Sequence, residues 1–472
     1  MRSALLLPVL LLGACATRGP IVITDCPDFA TYAVPLRGDI LTAAIQRDSV
    51  PPKAGGAVEA ATAAAGSADV PPDSDALDLL LEDALYRAET AGSAAFVVPA
   101  ADCPGADAPA PVPGMVLLSG GGQWGAFGAG YLKRLHECGK LPQSTFISGV
   151  STGALQSLFL AGASHPKHAD AMLARLAASY APAREDLIVD RGPQWTAVIT
   201  GSVAGMAPLR HRIEEALCPR ADGQPGQGDC DESGMLELLA NDATPPTLMG
   251  FIDAQTGEFR FVDIRTLAKL GGRTAQQCIV GAALASAAVP LFYQQVRVGE
   301  RAYMDGGVRQ SVFEATIAER AALLAARRAA QSGGGAPAIL PLYVVRNGPT
   351  IVDEDLDISG QADALHSALR AQGIMVNALE VGSIAALRLR FPEGPANLVT
   401  ADGWDLGREP GVPACDKKLH DGRERSGQMF NPTFMKCLQR FGAAKADRQE
   451  PWITLPTVTQ IAEARAEEVR AR

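Results

Sequence analysis

Between Gly114 and Ala161 the chain passes twice from a short apolar strand pattern into a helix pattern, and glycines stand at both passages. Met115 to Leu118 is an apolar run, Ser119 to Gly122 is a glycine loop, and Phe127, Tyr131, Leu135 and Cys138 mark one face of the helix that follows. Phe146 to Val150 is again strand-like, Ser151 to Gly153 interrupts it, and Ala154 to Ala161 resumes as an apolar helix. Strands separated by helices pair in parallel through right-handed crossovers. The alternation therefore specifies an α/β fold with a parallel-rich central sheet flanked by helices.

Later segments extend this pattern. Thr247 to Asp253 and Glu258 to Asp263 flank Ala254-Gln255-Thr256-Gly257 and predict a hairpin. Gln276 to Ala287 reads as a small-residue helix that ends before Pro290. Val296 to Met304, turning at Gly299-Glu300, delivers Asp305-Gly306-Gly307, and Ile339 to Val345 is a further apolar strand. Helical patterns recur over Ala364 to Ala386 and Pro432 to Phe441. Upstream, the Ala/Gly/Pro/Ser stretch Pro51 to Pro72 reads as a linker, and Leu77, Leu80, Leu81, Ala84 and Leu85 predict a helix over Asp75 to Ala91. These signals divide the chain into a leader over 1–14, a linker and helical extension over 15–113, an α/β domain over 114–350 and a C-terminal helical extension over 351–472 that carries no assignable motif.

The leader sets the expected compartment. Arg2 precedes the apolar run Ala4 to Leu12, followed by Gly13, Ala14 and Cys15, the order of an export signal. Leu12-Gly13-Ala14-Cys15 resembles a bacterial lipobox, which implies a lipidated Cys15 as the first mature residue. Ala16 after that cysteine leans towards the periplasmic face of the outer membrane, so the expectation is a lipid-anchored protein of the cell envelope. Nine cysteines leave eight after Cys15, an even number that permits disulfides in an exported chain. Cys218 with Cys230 and Cys415 with Cys437 bracket loop-like stretches and are the expected pairs; Cys138 and Cys278, in apolar helical patterns, read as plain core residues. The spacing offers no Cys-x-x-Cys, so no structural zinc or other metal is expected. Lys plus Arg number 42 against 52 Asp plus Glu, a formal charge of −10, which makes nucleic acid a poor partner.

Gly149-Val150-Ser151-Thr152-Gly153 fits Gly-x-Ser-x-Gly, in which glycines let a strand turn sharply into a helix and expose the serine hydroxyl. The alternative is an ordinary strand-to-helix loop with Ser151 or Thr152 as N-cap. Gly120-Gly121-Gly122 can turn backbone N–H groups into one concavity fit for a developing oxyanion. A phosphate loop would need the lysine and Ser/Thr that are missing here, and a flexible turn is the bland alternative. A nucleophilic serine needs a base. Asp305 ends an apolar strand ahead of two glycines, whereas none of the six histidines sits in a recognisable strand-end loop. Asp-Gly is also a common hairpin turn.

Taken together, these residues resemble the patatin-like phospholipase family. The resemblance runs from about Gly114 to Gln310 and rests on Gly120-Gly121-Gly122-x-x-Gly125, Gly149-x-Ser151-x-Gly153 and Asp305-Gly306. It implies Ser151 as nucleophile, Asp305 as base in a dyad without histidine, and Gly120 to Gly122 as the oxyanion loop. The implied activity is hydrolysis of acyl esters of membrane lipids, with neither cofactor nor metal. Ala285-Ser286-Ala287 through Pro290 and Phe292 also looks like the family segment before the aspartate strand. Many members place an arginine in the glycine loop where this chain has Trp124, which leaves headgroup preference open. The competing arrangements are a Ser-His-Asp hydrolase using Ser151, Asp305 and His366 or His420, and a non-catalytic envelope lipoprotein that keeps the fold.

An acidic chain is not held to anionic lipid by its net charge, so the anchor has to come from acyl chains, at about 0.8 kcal/mol per buried CH₂. Cys15→Ser is expected to leave the membrane fraction or to persist as uncleaved precursor in a fractionation experiment. A mature wild-type chain that is wholly soluble and carries no acyl mass on Cys15 would exclude the lipoprotein reading.

Overall fold

The computed structural model describes residues 21–36, 74–91, 103–104, 112–191, 202–219, 234–312, 314–333, 337–352, 364–419 and 429–471. The leader with Cys15, the stretch Pro51 to Pro72, Cys230 and His420 lie outside the described residues. The strands are β1 (Val22–Ile23), β2 (Val34–Pro35), β3 (Gly114–Leu118), β4 (Ser144–Val150), β5 (Asp190–Arg191), β6 (Ala204–Gly205), β7 (Thr247–Asp253), β8 (Phe259–Asp263), β9 (Val296–Val298), β10 (Arg301–Asp305), β11 (Leu342–Val345), β12 (Ala396–Val399) and β13 (Ile453–Thr454). The principal helices are α1 (Ser74–Thr90), α2 (Gly125–Glu137), α3 (Thr152–Ala163), α4 (Ala169–Ser179), α5 (Ala207–Leu217), α6 (Gly272–Ala287), α7 (Glu314–Gln331), α8 (Ala364–Arg390) and α9 (Pro432–Ala446).

One mixed sheet runs in the order β1-β9-β10-β7-β4-β3-β11-β12-β13, with β8 paired to β7 and β2 to β8. Its centre, β7-β4-β3-β11-β12, is parallel throughout. β5 and β6 form a separate antiparallel pair. Side chains alternate between two cores, as the two-residue period of a strand requires. Val116, Leu118, Ile147, Met249 and Phe251 face the core closed by α2, α3, α4, α6 and α9. Met115, Leu117, Phe146, Val150 and Leu248 face the core closed by α1, α7 and α8. Burial on both faces explains why β3 and β4 read as continuous apolar runs rather than alternating ones.

The edge of β7 carries the feature that positions the site. β8 occupies one edge of β7 over Leu248 to Ile252. On the other edge, β4 pairs in parallel up to Val150 opposite Gly250, and β10 pairs antiparallel from Asp305 opposite Phe251. Two strands therefore share one edge, and their C-terminal ends abut between consecutive residues of β7. Ser151 leaves the sheet where Asp305 ends β10.

Residues 351–472, expected as a helical extension, contribute strands as well as helices: β12 pairs in register with β11, and β13 pairs with β12 at the sheet edge. In addition, α9 packs on α2, where Gly130 and Gly442 let the backbones approach: a β-carbon on Gly442 would stand 2.2 Å from the Phe127 carbonyl. The N-terminal segment likewise contributes β1 and β2 to the sheet. Strands this short carry no readable period. Cys138 and Cys278 are not plain core residues: they bond to Cys103 and Cys26, while Cys415 bonds to Cys437 as expected. Cys218 is also disulfide-bonded. The apolar patterns around Cys138 and Cys278 do report burial, but burial does not tell a thiol from a disulfide. Among the described residues no helix is long and apolar enough to cross a membrane.

The Cys26–Cys278 bond joins residues 252 apart and ties the N-terminal strand to α6. The double variant Cys26→Ser/Cys278→Ser is expected to lose about 2–5 kcal/mol of stability, read as a lower urea midpoint with the helical circular dichroism of the native state retained in buffer.

Candidate active site

Ser151 follows the last residue of β4 and stands at the N-cap position of α3 with φ 54° and ψ −122°. A non-glycine residue with positive φ is strained and persists only where its surroundings enforce it. Here the flanking glycines do so. A β-carbon on Gly149 would lie 2.3 Å from the Gly153 carbonyl oxygen, and one on Gly153 would lie 2.3 Å from that of Leu118. The Ser151 N–H donates to Ser286 Oγ (2.8 Å), whose hydroxyl donates to the Gly250 carbonyl (2.6 Å), so α6 and β7 both hold the turn. The Ser151 side chain makes no capping hydrogen bond, and the Thr152 hydroxyl is engaged with Tyr180 Oη at 2.6 Å. The hydroxyl of Ser151 is therefore not consumed as an N-cap.

The glycine loop lies over the serine. A β-carbon on Gly120 would stand 3.4 Å from Ser151 Cβ, and one on Gly121, with φ 145°, would stand 1.9 Å from the Asn347 carbonyl oxygen. Asn347 anchors the loop by donating its N–H to Ser119 Oγ (2.8 Å) and its Nδ2 to the Ser119 carbonyl (2.8 Å). The Gly120 N–H already donates to Ser311, to Oγ at 3.1 Å and to the carbonyl at 3.3 Å. It is not free to meet an oxyanion. Among the described residues the N–H groups of Gly121 and Gly122 donate to no acceptor. Gly125 admits α2 close to α3, since a β-carbon there would meet Thr152 Oγ1 at 2.2 Å. Trp124 is buried edge-to-face against Trp404 and Phe434, at ring separations of 5.4 and 5.3 Å.

Asp305 ends β10 and is buried. Its Oδ1 accepts the Gly307 N–H (2.7 Å), and its Oδ2 has no closed hydrogen bond among the described residues. Gly306 permits the approach to β4, because a β-carbon there would be 2.8 Å from Val150 Cγ1. Burial pushes the Asp305 carboxyl up to about 7, against the Ser151 hydroxyl and the Gly307 amide, which favour the charged form, and with the Glu380 charge adding to the rise.

Two cavities meet at Ser151. One, of about 270 Å³, is lined by Gly120 to Gly122, Ser151, Asp305, Ser311 and Arg346 among others. The other, of about 90 Å³, is apolar and is lined by Ser151, Leu155, Phe159, Tyr180, Ile213 and Met435 among others. Of the described histidine side chains, His136 pairs with Asp170 at 2.7 Å and His165 with Thr244 at 2.8 Å, and neither lines these two cavities. His366 sits in α8 with its side chain outside the description, as His420 is altogether. Ser311, Arg346, Asn347 and Glu380 were invisible to the sequence reading. Only the position of Arg346 and Asn347 at the end of an apolar strand pattern could have drawn attention to them.

Above about pH 7 the folded state holds a buried carboxylate charge at Asp305 that the unfolded state solvates; below its ordinary value of 3.8 both states are protonated. The stability that a raised carboxyl contributes at low pH is thus lost as pH rises through about 7. Asp305→Asn is therefore expected to be more stable than wild type at pH 8, by up to about 4 kcal/mol, with the gap in urea midpoint narrowing at pH 5. An equal or lower midpoint at pH 8 would contradict the burial argument.

The chain is similar to the crystal structure of VipD from Legionella pneumophila at 15% identity, over 55% of this chain and 52% of that one, with a TM-score of 0.27. The likeness thus spans about half the length of that chain. No curated protein matches. Residues 116–316, which hold the glycine loop, the serine elbow and Asp305, match the family model of the patatin-like phospholipases.

Proposed function

We propose that the protein is a lipid acyl hydrolase that works through a Ser151–Asp305 dyad. The observation that carries this reading is the shared edge of β7, which brings the strained serine at the end of β4 against the buried aspartate at the end of β10. In the reaction, Ser151 Oγ attacks the ester carbonyl while Asp305 takes the hydroxyl proton. The negative charge that develops on the carbonyl oxygen meets the Gly121 and Gly122 N–H groups, with the N-terminus of α3 adding a favourable dipole. Asp305 then gives its proton to the departing alcohol, and the acyl group stays on Ser151. Water attacks that acyl-enzyme as Asp305 takes one of its protons, releasing the fatty acid and restoring the serine.

The environment of Asp305 suits this task. A base works best when its pKa is near the working pH, and burial lifts this carboxyl to about 7. The apolar chamber beside Ser151 fits an acyl chain, and the larger cavity, with Arg346, Arg370 and Asn377 on its wall, fits the polar remainder of the ester. The protein is further proposed to act at the cell envelope, anchored through Cys15. Leu12-Gly13-Ala14-Cys15 supports the anchor, and bonded cysteines, which persist in oxidising compartments, support export.

Ser151→Ala and Asp305→Asn are expected to lower turnover of dispersed short-chain esters by about a thousandfold or more, whereas His366→Ala and His420→Ala retain most of it. Because the base acts without its proton, kcat/KM should rise with pH through about 7, the value to which Asp305 is raised. Loss of activity in a folded histidine variant would instead favour a triad.

A further inference from the structure

A chain of buried polar groups runs beneath the glycine loop, and half of it lies beyond residues 116–316. Arg346, at the end of β11, and Glu380, on α8, are 2% and 4% exposed and pair through Nη2 and Oε2 at 2.9 Å. Arg346 Nη2 also donates to Asn377 Oδ1 at 2.5 Å. The other Glu380 oxygen accepts a hydrogen bond from the Ser311 hydroxyl. Ser311 Oγ in turn accepts the Gly120 N–H, at 3.1 Å.

A buried ion pair is no more stabilising than well-packed apolar side chains of similar size, so stability alone does not account for it. The direction of the hydrogen bonds does. An ionised carboxylate only accepts, so the Ser311 proton is committed to Glu380 and a lone pair is left facing Gly120. Together with the Ser311 carbonyl, which the same N–H meets at 3.3 Å, that lone pair sets the peptide plane at Gly120 and with it the direction of the next two N–H groups. Burial pushes the Glu380 carboxyl up, and Arg346 and Ser311 pull it back towards the charged form that this arrangement needs.

We propose that Glu380, paired with Arg346, is a positioning residue that orients Ser311 and through it sets the glycine loop over Ser151. The inference rests on the acyl-hydrolase reading. It gives the segment that follows the family match a part in the site, through side chains that need not touch the substrate. The other charged side chains lining the cavity that holds Asp305 and Glu380 are Arg346, just past β11, and Arg370 on α8.

The test compares Ser311→Ala and Glu380→Gln with wild type on p-nitrophenyl butyrate, recording kcat, KM and the pH profile, with Ser151→Ala alongside. Misplacing a catalytic group by about 1 Å costs roughly a hundredfold, so both variants are expected to lose about tenfold to a hundredfold in kcat, with KM nearly unchanged. The pH profile separates them. Ser311→Ala changes no charge and should keep the acid limb in place. Glu380→Gln removes a negative charge near Asp305 and should move that limb to lower pH. Glu380→Gln that folds but loses kcat with an unmoved limb marks a merely structural role and overturns the proposal. If Glu380→Gln does not fold, Ser311→Ala decides, since it deletes one hydroxyl and leaves the ion pair: wild-type kcat overturns the proposal, and a loss confined to kcat supports it. Wild-type turnover that Ser151→Ala abolishes and Ser311→Ala leaves intact sinks the positioning role alone. Turnover that does not depend on Ser151 sinks the acyl-hydrolase reading and this inference with it.

Discussion

The edge of β7 accepts β4 as far as Gly250 and β10 from Phe251 onward, and the geometry of the site depends on that junction. Backbone hydrogen bonds fix both strand ends against one rigid strand, so Ser151 and Asp305 are set by ladder register rather than by flexible loops. The packing around the junction is correspondingly tight. Gly149, Gly153 and Gly306 each occupy a place where a β-carbon would strike a neighbour. The positive φ of Ser151 persists because β4, α3 and the Ser286 bridge over-determine it.

Electrostatics follow from the same burial. A carboxyl buried at the end of β10 loses its water, and the two groups that would favour its charge do not offset that loss. The glycine loop is under a different constraint. Gly120 is tied down by Ser311, and Gly121 is pressed against the Asn347 backbone, which leaves the N–H groups of Gly121 and Gly122 uncommitted. One glycine of the run thus serves as an anchor so that the next two can be presented.

The C-terminal part is integral to this arrangement. β12 extends the sheet beside β11, α9 covers α2, and α8 brings Glu380 under the loop. The Trp124 side chain, in the glycine loop, is absorbed into an aromatic cluster with Trp404 and Phe434, so the C-terminal segment also packs against the loop from outside.

By itself the sequence determined the α/β alternation, the hairpin from Thr247 to Asp263, the long helices, and the candidates Ser151, Asp305 and the glycine run. These rest on local periodicity and on glycine spacing, which act within a few residues and are legible along the chain. Only the tertiary structure decided which glycine N–H is already taken, that Cys138 and Cys278 are bonded, and that β12, Arg346 and Glu380 belong to the sheet and the site. Each of these depends on contacts between residues far apart in the chain, such as Gly120 with Ser311 or Cys26 with Cys278. A four-residue strand or a lone buried glutamate leaves no periodic trace, and its partner is fixed only when the helices close on both faces of the sheet.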